Sequence, residues 1–529
     1  MKERSTARLN RLGSGLLRRR EVLALGGTFG LGAMTRPRPA RATEPGGGVT
    51  LQMRVMPLED PRGFDWSEMG NIARGVIEPL VRYRSDFTFE PWLLSGWEVS
   101  EDAQTYVLRV RPGVTWSTGE PLTADDVIYN FERWCDRTAP ANSMATRMSS
   151  LIDPGTGRAQ SGAIERLDEQ TLRLNLRRPD ISIIASLTDY PALIVHPRFD
   201  AEGAVFSAAP IGTGPFILAS HTPGIEARLD RRPGWWGGSV ALDHVRYFDL
   251  GENPFEHVRA LETGDVDGVY ETTGAYVDLL DEMDLARSDV LTAATLVCRA
   301  NRETGPAAYA DPRVRRALAL AVDNETVLEL GYAGLGTVAA NHHVGPMHPD
   351  YAEIGTPRHD PAASGALLEA AGAGDLTHDL TSLDDEWNRA TADVIAAQLR
   401  DAGIRVDRRI LAGGRFWRDW QRHPFSCTEW NMRPLGVQVL ALAYASNGPW
   451  NETGFADATF DEGIAEALSH VDGDVRSRVM ADLQRMLIDD GTMIQPFWRR
   501  LFHHHRPALK GYVRHPTNEH HHDLWSLDA

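Results

Sequence analysis

Lysine is nearly absent, with Lys2 and Lys510 the only two in 529 residues. A G-x-x-x-x-G-K-S/T phosphate loop cannot be built without one, which excludes nucleotide-driven chemistry of that kind. Cysteine is almost as scarce. Cys135, Cys298 and Cys427 are too few and too scattered for a disulfide framework, so at most one bridge can form and one thiol stays over. No run reaches the roughly 18 apolar residues of a membrane-spanning helix. The longest candidate, Val22 to Met34, has 13 residues and holds four glycines. There is no G-x-S-x-G elbow and no H-E-x-x-H helix, no repeat at a fixed period and no low-complexity linker.

What is present is a folded composition, 42% hydrophobic and 24% charged, long enough for two or three compact units. Arg18, Arg19 and Arg20 precede the short apolar run, and Ala40-Arg41-Ala42 follows it as a small-x-small cleavage signature. This predicts an export signal over 1–42, and Arg19-Arg20-Glu21-Val22-Leu23 fits the twin-arginine pattern of chains exported already folded. No cysteine follows the cleavage site, so a free periplasmic protein is expected rather than a lipid-anchored one. Residues 1–42 carry ten Lys/Arg and two Asp/Glu. Without them the stated 55 and 73 become 45 and 71, a net charge of −26. That field repels phosphate backbones and anionic lipid, which argues against nucleic acid and mildly favours cationic or zwitterionic ligands.

Alternation over Val49 to Val55, Tyr106 to Val110 and Leu172 to Leu176 predicts strands. Asp311-Pro312 supplies an N-cap and first-turn proline for a helix carrying Val314, Leu318 and Val322. Thr391 to Ala402 predicts a second helix, closed by Gly403 and followed by the strand Ile404-Arg405-Val406, and Val479, Leu483, Met486 and Leu487 mark a third. The chain reads as mixed α/β.

Several segments then align in order with one family. Glu78-Pro79-Leu80-Val81, Pro91 to Asp102, Leu108 to Trp116 and Gly119 to Val127 come first. Ile211 to Phe216, Pro233 to Gly238, Ala260 to Asp267, Asp311 to Leu318 and Tyr444 to Asp461 follow. Together they resemble the extracellular solute-binding proteins of family 5, the peptide, nickel and opine carriers of ABC importers. The resemblance implies a two-lobed periplasmic binding protein fold of type II, with a subdomain inserted in lobe one and the ligand in the interlobe cleft. It places lobe one at 43–89, 206–297 and 501–529, the insertion at 90–205 and lobe two at 298–500. It also implies a permease and an ATPase as partners, a monomeric carrier, no cofactor and no catalysis.

Such a cleft works because closure buries the ligand and removes screening water, and because a ligand touching both lobes favours the closed form. The resemblance places ligand-facing aromatics at Trp417, Trp420 and Trp430, with Asn431 beside them, whereas Trp235 and Trp236 are expected to pack structurally. In peptide-binding members an aspartate shortly after the equivalent of Trp430 pairs with the peptide amino group. Arg433 stands there instead, suited to an acidic group of the ligand or to a structural ion pair. Glu68 and Asn71, after the first strand, and Thr272 and Thr273, after the Ala260 to Asp267 segment, complete the candidate set on lobe one.

Two alternatives stay open. The histidines at 503–505, 515 and 520–522 suggest a nickel or metal-complex carrier of the same family. Against this, they lie far in sequence from the cleft tryptophans, and adjacent histidines on a strand face opposite ways. The reading from a different class is an exported hydrolase, which no motif supports.

Overall fold

Alternating apolar residues build the first strand, Gly48–Gln52, whose Val49 and Leu51 are fully buried. It runs parallel to His244–Phe248 on one side and to Gly268–Val269 on the other. Antiparallel Glu226–Arg231 and Phe216–Thr222 carry the sheet to its edge. Ile72, Leu229, Tyr247 and Trp525 pack against this lobe-one sheet. The computed structural model describes residues 46–528 except 209, 275 and 356–357. The predicted export signal therefore lies outside the described residues.

The lobe-two sheet centres on Thr377–Leu383, flanked by parallel Arg405–Leu411 and Phe425–Trp430. Helix Glu386–Asp401 covers it and buries Ile395, Ala396 and Leu399; a fully buried aliphatic side chain contributes roughly 1.5–3 kcal/mol. This helix begins before the predicted Thr391, because Asp385 caps it by accepting from the Asn388 backbone N–H at 2.8 Å. Asp311 caps helix Pro312–Leu320 in the same way.

Two antiparallel strands join the lobes into one sheet. Ala286–Ala300 pairs through residues 286–291 with residues 500–505 of Phe497–His505, and through 295–300 with Phe425–Trp430. Its register breaks between Leu291 and Thr295. There the hydroxyls of Thr292 and Thr295 donate to the carbonyls of Arg499 and Phe497 at 2.9 and 2.6 Å. A bulge stitched by two buried hydroxyls holds the two strands together where the register breaks.

A separate antiparallel sheet, in the order Leu94–Val99, Thr105–Val110, Thr171–Asn175, Ile164–Arg166, forms within the lobe-one half of the chain. Helix Ala124–Trp134 covers it and shares its core of Leu108, Phe131, Trp134 and Leu172. The architecture is mixed α/β and two-lobed. Among the described residues no helix is long and apolar enough to cross a membrane. All three cysteines are free and buried, with Cys298 directly opposite Cys427 across two strands.

Candidate ligand-binding site

A row of tryptophans runs from one lobe to the other. Trp66, at the N-cap position of helix Ser67–Arg74 in lobe one, meets Trp417 of lobe two edge to face at 5.6 Å. Trp417 continues to Trp420 at 6.3 Å, Trp420 to Trp430 at 5.9 Å and Trp430 to Trp450 at 5.9 Å. Trp66, Trp417, Trp420 and Trp450 are half-buried, so each keeps a ring surface to offer. Trp430 is buried and fixed: its indole N–H donates to Glu452 Oε1 at 2.8 Å, and Glu452 is itself held by Arg299 and Thr428. Trp235 and Trp236, by contrast, pack with Trp92 in the interior of lobe one.

Two asparagine amides link Asn71 through Asn518 to Asn431. Asn71 Nδ2 donates to the Asn518 carbonyl at 2.8 Å, and Asn518 Nδ2 donates to Asn431 Oδ1 at 3.4 Å. Asn71 is fully buried and its Oδ1 accepts from the His520 backbone N–H, so it holds the C-terminal segment in place. Asn431 is exposed. Glu68 is buried and accepts two bonds from Arg54, whose guanidinium stacks 4.7 Å from the Trp66 ring. It thereby steadies one end of the aromatic row. Thr272 is committed to the second crossing strand, with its N–H on the Phe502 carbonyl and its hydroxyl 3.0 Å from His504 Nδ1. Thr273 is half-buried, with its carbonyl accepting from Tyr276.

Arg433 reaches across to the lobe-one half of the chain. Its Nη1 lies 3.6 Å from Asp189 Oδ1, its Nη2 donates to Tyr190 Oη at 3.4 Å, and its guanidinium sits 5.2 Å from the Trp450 ring. Asp189 also accepts from Arg147 at 2.6 Å, and Arg147 lies on Trp450 as well, at 5.7 Å. Burial alone would raise the Asp189 carboxyl, but the two guanidiniums hold it down to about 2. Two cations thus share one carboxylate beside the Trp450 indole, leaving a net positive pole.

The opposite polarity gathers at the lobe boundary. Asp385 and Glu429 of lobe two face Glu271 of lobe one and Arg499 of the second crossing strand. Arg499 is already bound to Glu271 at 2.6 Å and lies 3.9 Å over Trp387, and Arg514 takes the other Glu271 oxygen at 3.2 Å. Burial raises the Glu429 carboxyl to about 7, with neighbouring Asp385 adding to the rise and Arg499 only partly opposing it. Burial raises Asp385 too.

None of these acidic residues was among the sequence candidates. The signal for Glu429 was its place after Phe425 and Cys427 on the core-facing side of a strand, where a carboxylate is out of place. Asp385 was hidden by the late start predicted for its helix.

The C-terminal histidines divide by face. His503 and His505 lie 5.6 Å apart against Tyr512, while His504 turns to Thr272 and Asp281. His515, Glu519 and His521 bring one ligating atom each within 4.8 Å of one another. Burial alone would raise the Glu519 carboxyl, but Arg74, 3.6 Å away, together with His515 and His521 holds it down to about 2. A small cavity bounded by Arg74, Arg82, Glu519 and Asp523 is closed by paired charges, Arg82 on Asp523 at 2.8 Å and Arg74 on Glu519.

One continuous sheet shared by two lobes, with a row of aromatic contacts from Trp66 to Trp450, defines a two-lobed mixed α/β architecture. The chain belongs to the bacterial extracellular solute-binding proteins, family 5, whose sequence profile matches residues 88–452. It is 23% identical to the dipeptide-binding protein DppE of Bacillus subtilis over 491 residues, 87% of this chain and 88% of that one. Its fold is that of the dipeptide-binding protein of Pseudoalteromonas sp. SM9913 in complex with Met-Leu, at a TM-score of 0.79 and 19% identity, covering 91% of this chain and 100% of the other. The binding protein AgaA from A. tumefaciens R10, solved with agropinic acid, superposes at a TM-score of 0.78 and 20% identity, covering 91% and 99%.

Proposed function

We propose that this chain is the exported receptor of an ABC importer and closes its two lobes on a peptide or peptide-like zwitterion. The observation that carries this reading is the tryptophan row from Trp66 to Trp450, because a ligand lying along it touches both lobes and so favours the closed form. The peptides and opine bound by the relatives support the ligand class, and the membership of the family supports a permease and ATPase as partners. The Arg147–Arg433 pole supplies a place for the ligand's carboxylate, since Asp189 neutralises only one of the two guanidiniums.

In this reading the mature chain begins at 43, works as a monomer in the periplasm and catalyses no reaction. Lobe one comprises 43–89, 206–297 and 501–529, with 90–205 as its inserted subdomain, and lobe two comprises 298–500. Bending falls at the register break between Leu291 and Thr295. The test is titration of the mature protein with a di- and tripeptide panel, read by intrinsic tryptophan fluorescence and calorimetry. Saturable binding with a spectral shift supports the reading. A chain that binds no peptide but turns over an ester, peptide or glycoside substrate overturns it.

A further inference from the structure

The inserted segment 90–205 is tied to lobe one by several polar contacts. Arg133 bridges Asp200 at 3.0 Å and Asp60 of lobe one at 2.8 Å. The Ile194 N–H donates to the Glu78 carbonyl at 3.1 Å, and Arg74 donates to the Thr188 carbonyl at 3.1 Å. At Gly70 a β-carbon would lie 2.6 Å from the Tyr190 β-carbon, so glycine is what lets helix Ser67–Arg74 approach this segment. Any movement between the lobes therefore carries the inserted segment with lobe one.

The same segment also grips lobe two. Its stretch 180–190 contains the short helix Ile183–Ser186 and is fixed by Asp180, whose carboxylate accepts from Ser182 and Ser150 and whose carbonyl accepts from Tyr106. From this base the Ile181 N–H donates to the Leu468 carbonyl at 2.9 Å. Leu468 lies in the last turn of helix Ala458–Ser469, where carbonyls have no intrahelical donor, so the inserted segment supplies the one missing there. Ala185 is 2% exposed and shares one apolar cluster with Leu435, Val437 and Leu440 of lobe two. Beside it the buried Ser186 Oγ accepts from Gln438 Nε2 at 3.4 Å, and further on Asp189 lies 3.6 Å from Arg433.

We propose that residues 180–190 form a strap that holds the two lobes closed before any ligand is bound. This rests on the reading of the chain as a two-lobed carrier and goes beyond it. The Ile181–Leu468 bond and the packing of Ala185 are complete without a ligand, so they favour the closed form whatever the cargo. Opening exposes the apolar surface around Ala185 to water and separates a hydrogen-bonded N–H and carbonyl. The apparent affinity of a carrier is its intrinsic affinity scaled by the fraction of molecules in the competent form. A strap that raises the closed fraction therefore tightens binding of every ligand alike and slows its release.

The test takes the mature protein, stripped of cargo by unfolding and refolding, and measures its small-angle scattering and the hydrogen exchange of the Ile181 amide. Ala185→Glu and Ala185→Asn are the variants, because a polar side chain there is disfavoured while the strap is docked and solvated once it lets go. The ligand-free parent should scatter as the closed structure and protect the Ile181 amide. Both variants should show a larger radius of gyration and a faster-exchanging amide. With the di- and tripeptide panel they should bind about tenfold more weakly than the parent, in the same rank order of peptides. A ligand-free parent as extended as the variants, or variants as compact as the parent, overturns the strap and leaves the carrier reading to the peptide titration. A parent that is closed without ligand and binds no peptide keeps the strap and overturns the peptide reading. Where a variant does not fold, the scattering of the ligand-free parent decides alone, closed for the strap and open against it.

Discussion

Arg433 and Asp189, from opposite sides of the cleft, approach to 3.6 Å with Trp450 beneath the guanidinium. The pair is incomplete as an ion pair, because Arg147 already binds Asp189 more tightly, at 2.6 Å. Arg433→Ala should therefore cost only about 1–3 kcal/mol of stability. Its larger effect is on ligands: peptides with a free C-terminal carboxylate should bind tenfold or more weakly by calorimetry, while their C-terminal amides bind parent and variant alike. Equal affinity of the carboxylate peptides for both proteins would remove Arg433 from the site.

The tryptophans separate into two groups that a pair of substitutions distinguishes. Trp417→Ala opens the row at its lobe-to-lobe contact with Trp66 and should weaken ligand binding about tenfold with little change in melting temperature. Trp235→Ala removes an interior ring packed on Trp92 and should cost about 3–5 kcal/mol of stability with affinity unchanged. The reverse pattern in fluorescence titration and thermal melts would put the cleft elsewhere.

Acid should unfold the protein through its histidines. Burial pushes the His342, His343, His515 and His522 imidazoles down to about 3 and His378 to about 4. Their folded values lie below the unfolded value of about 6.5, so the unfolded chain binds more protons between the two. Stability contributed by their neutral forms is full above pH 6.5 and is lost as pH falls toward 3. Glu429 works in the opposite sense, since its folded value of about 7 lies above that of the unfolded chain and its burial costs most at high pH. Chemical denaturation from pH 8 to 5 should show a falling free energy, with the Glu429→Gln variant gaining on the parent at pH 8 and losing that gain by pH 5. A gain unchanged across this range would contradict the assignment.

The fold was largely written in local signals. Asp311-Pro312 announced a helix start, and alternation at Val49 and Leu51 announced a central strand, because capping and pleat act within a few residues. The family resemblance reached Trp417, Trp420 and Trp430, which the structure joins into one aromatic row. Trp66, Trp450 and Asn518 carry no local mark, since what joins them to this row and to Asn431 is contact with residues far away in the chain. Arg433 was visible as the arginine in an aspartate's place, but Asp189, which decides how much of its charge is free, lies far earlier in the chain. Glu429 could have been read from its position on a core-facing strand side, and the neighbouring Trp430 drew attention away from it.

The thiols offer a test of the proposed export. Cys298 and Cys427 face each other in the core with exposures of 1% and 0%, and the Cys298 N–H and carbonyl are both engaged by Ile494 on the other side. That register lets side chains approach closely and suits a cross-strand bridge if the chain is oxidised before it folds. A chain folded in the reducing cytoplasm and exported intact seals both thiols first. Thiol titration after unfolding of periplasmic protein should count three free groups for folded export, and a single free group would indicate export unfolded.

The most direct test of the whole account is the cargo itself. The mature protein, isolated from the periplasm and examined by native mass spectrometry before and after denaturation, should release a small organic solute carrying both an amine and an acidic group. Release of a bare metal ion, or of a solute with neither charge, would contradict it.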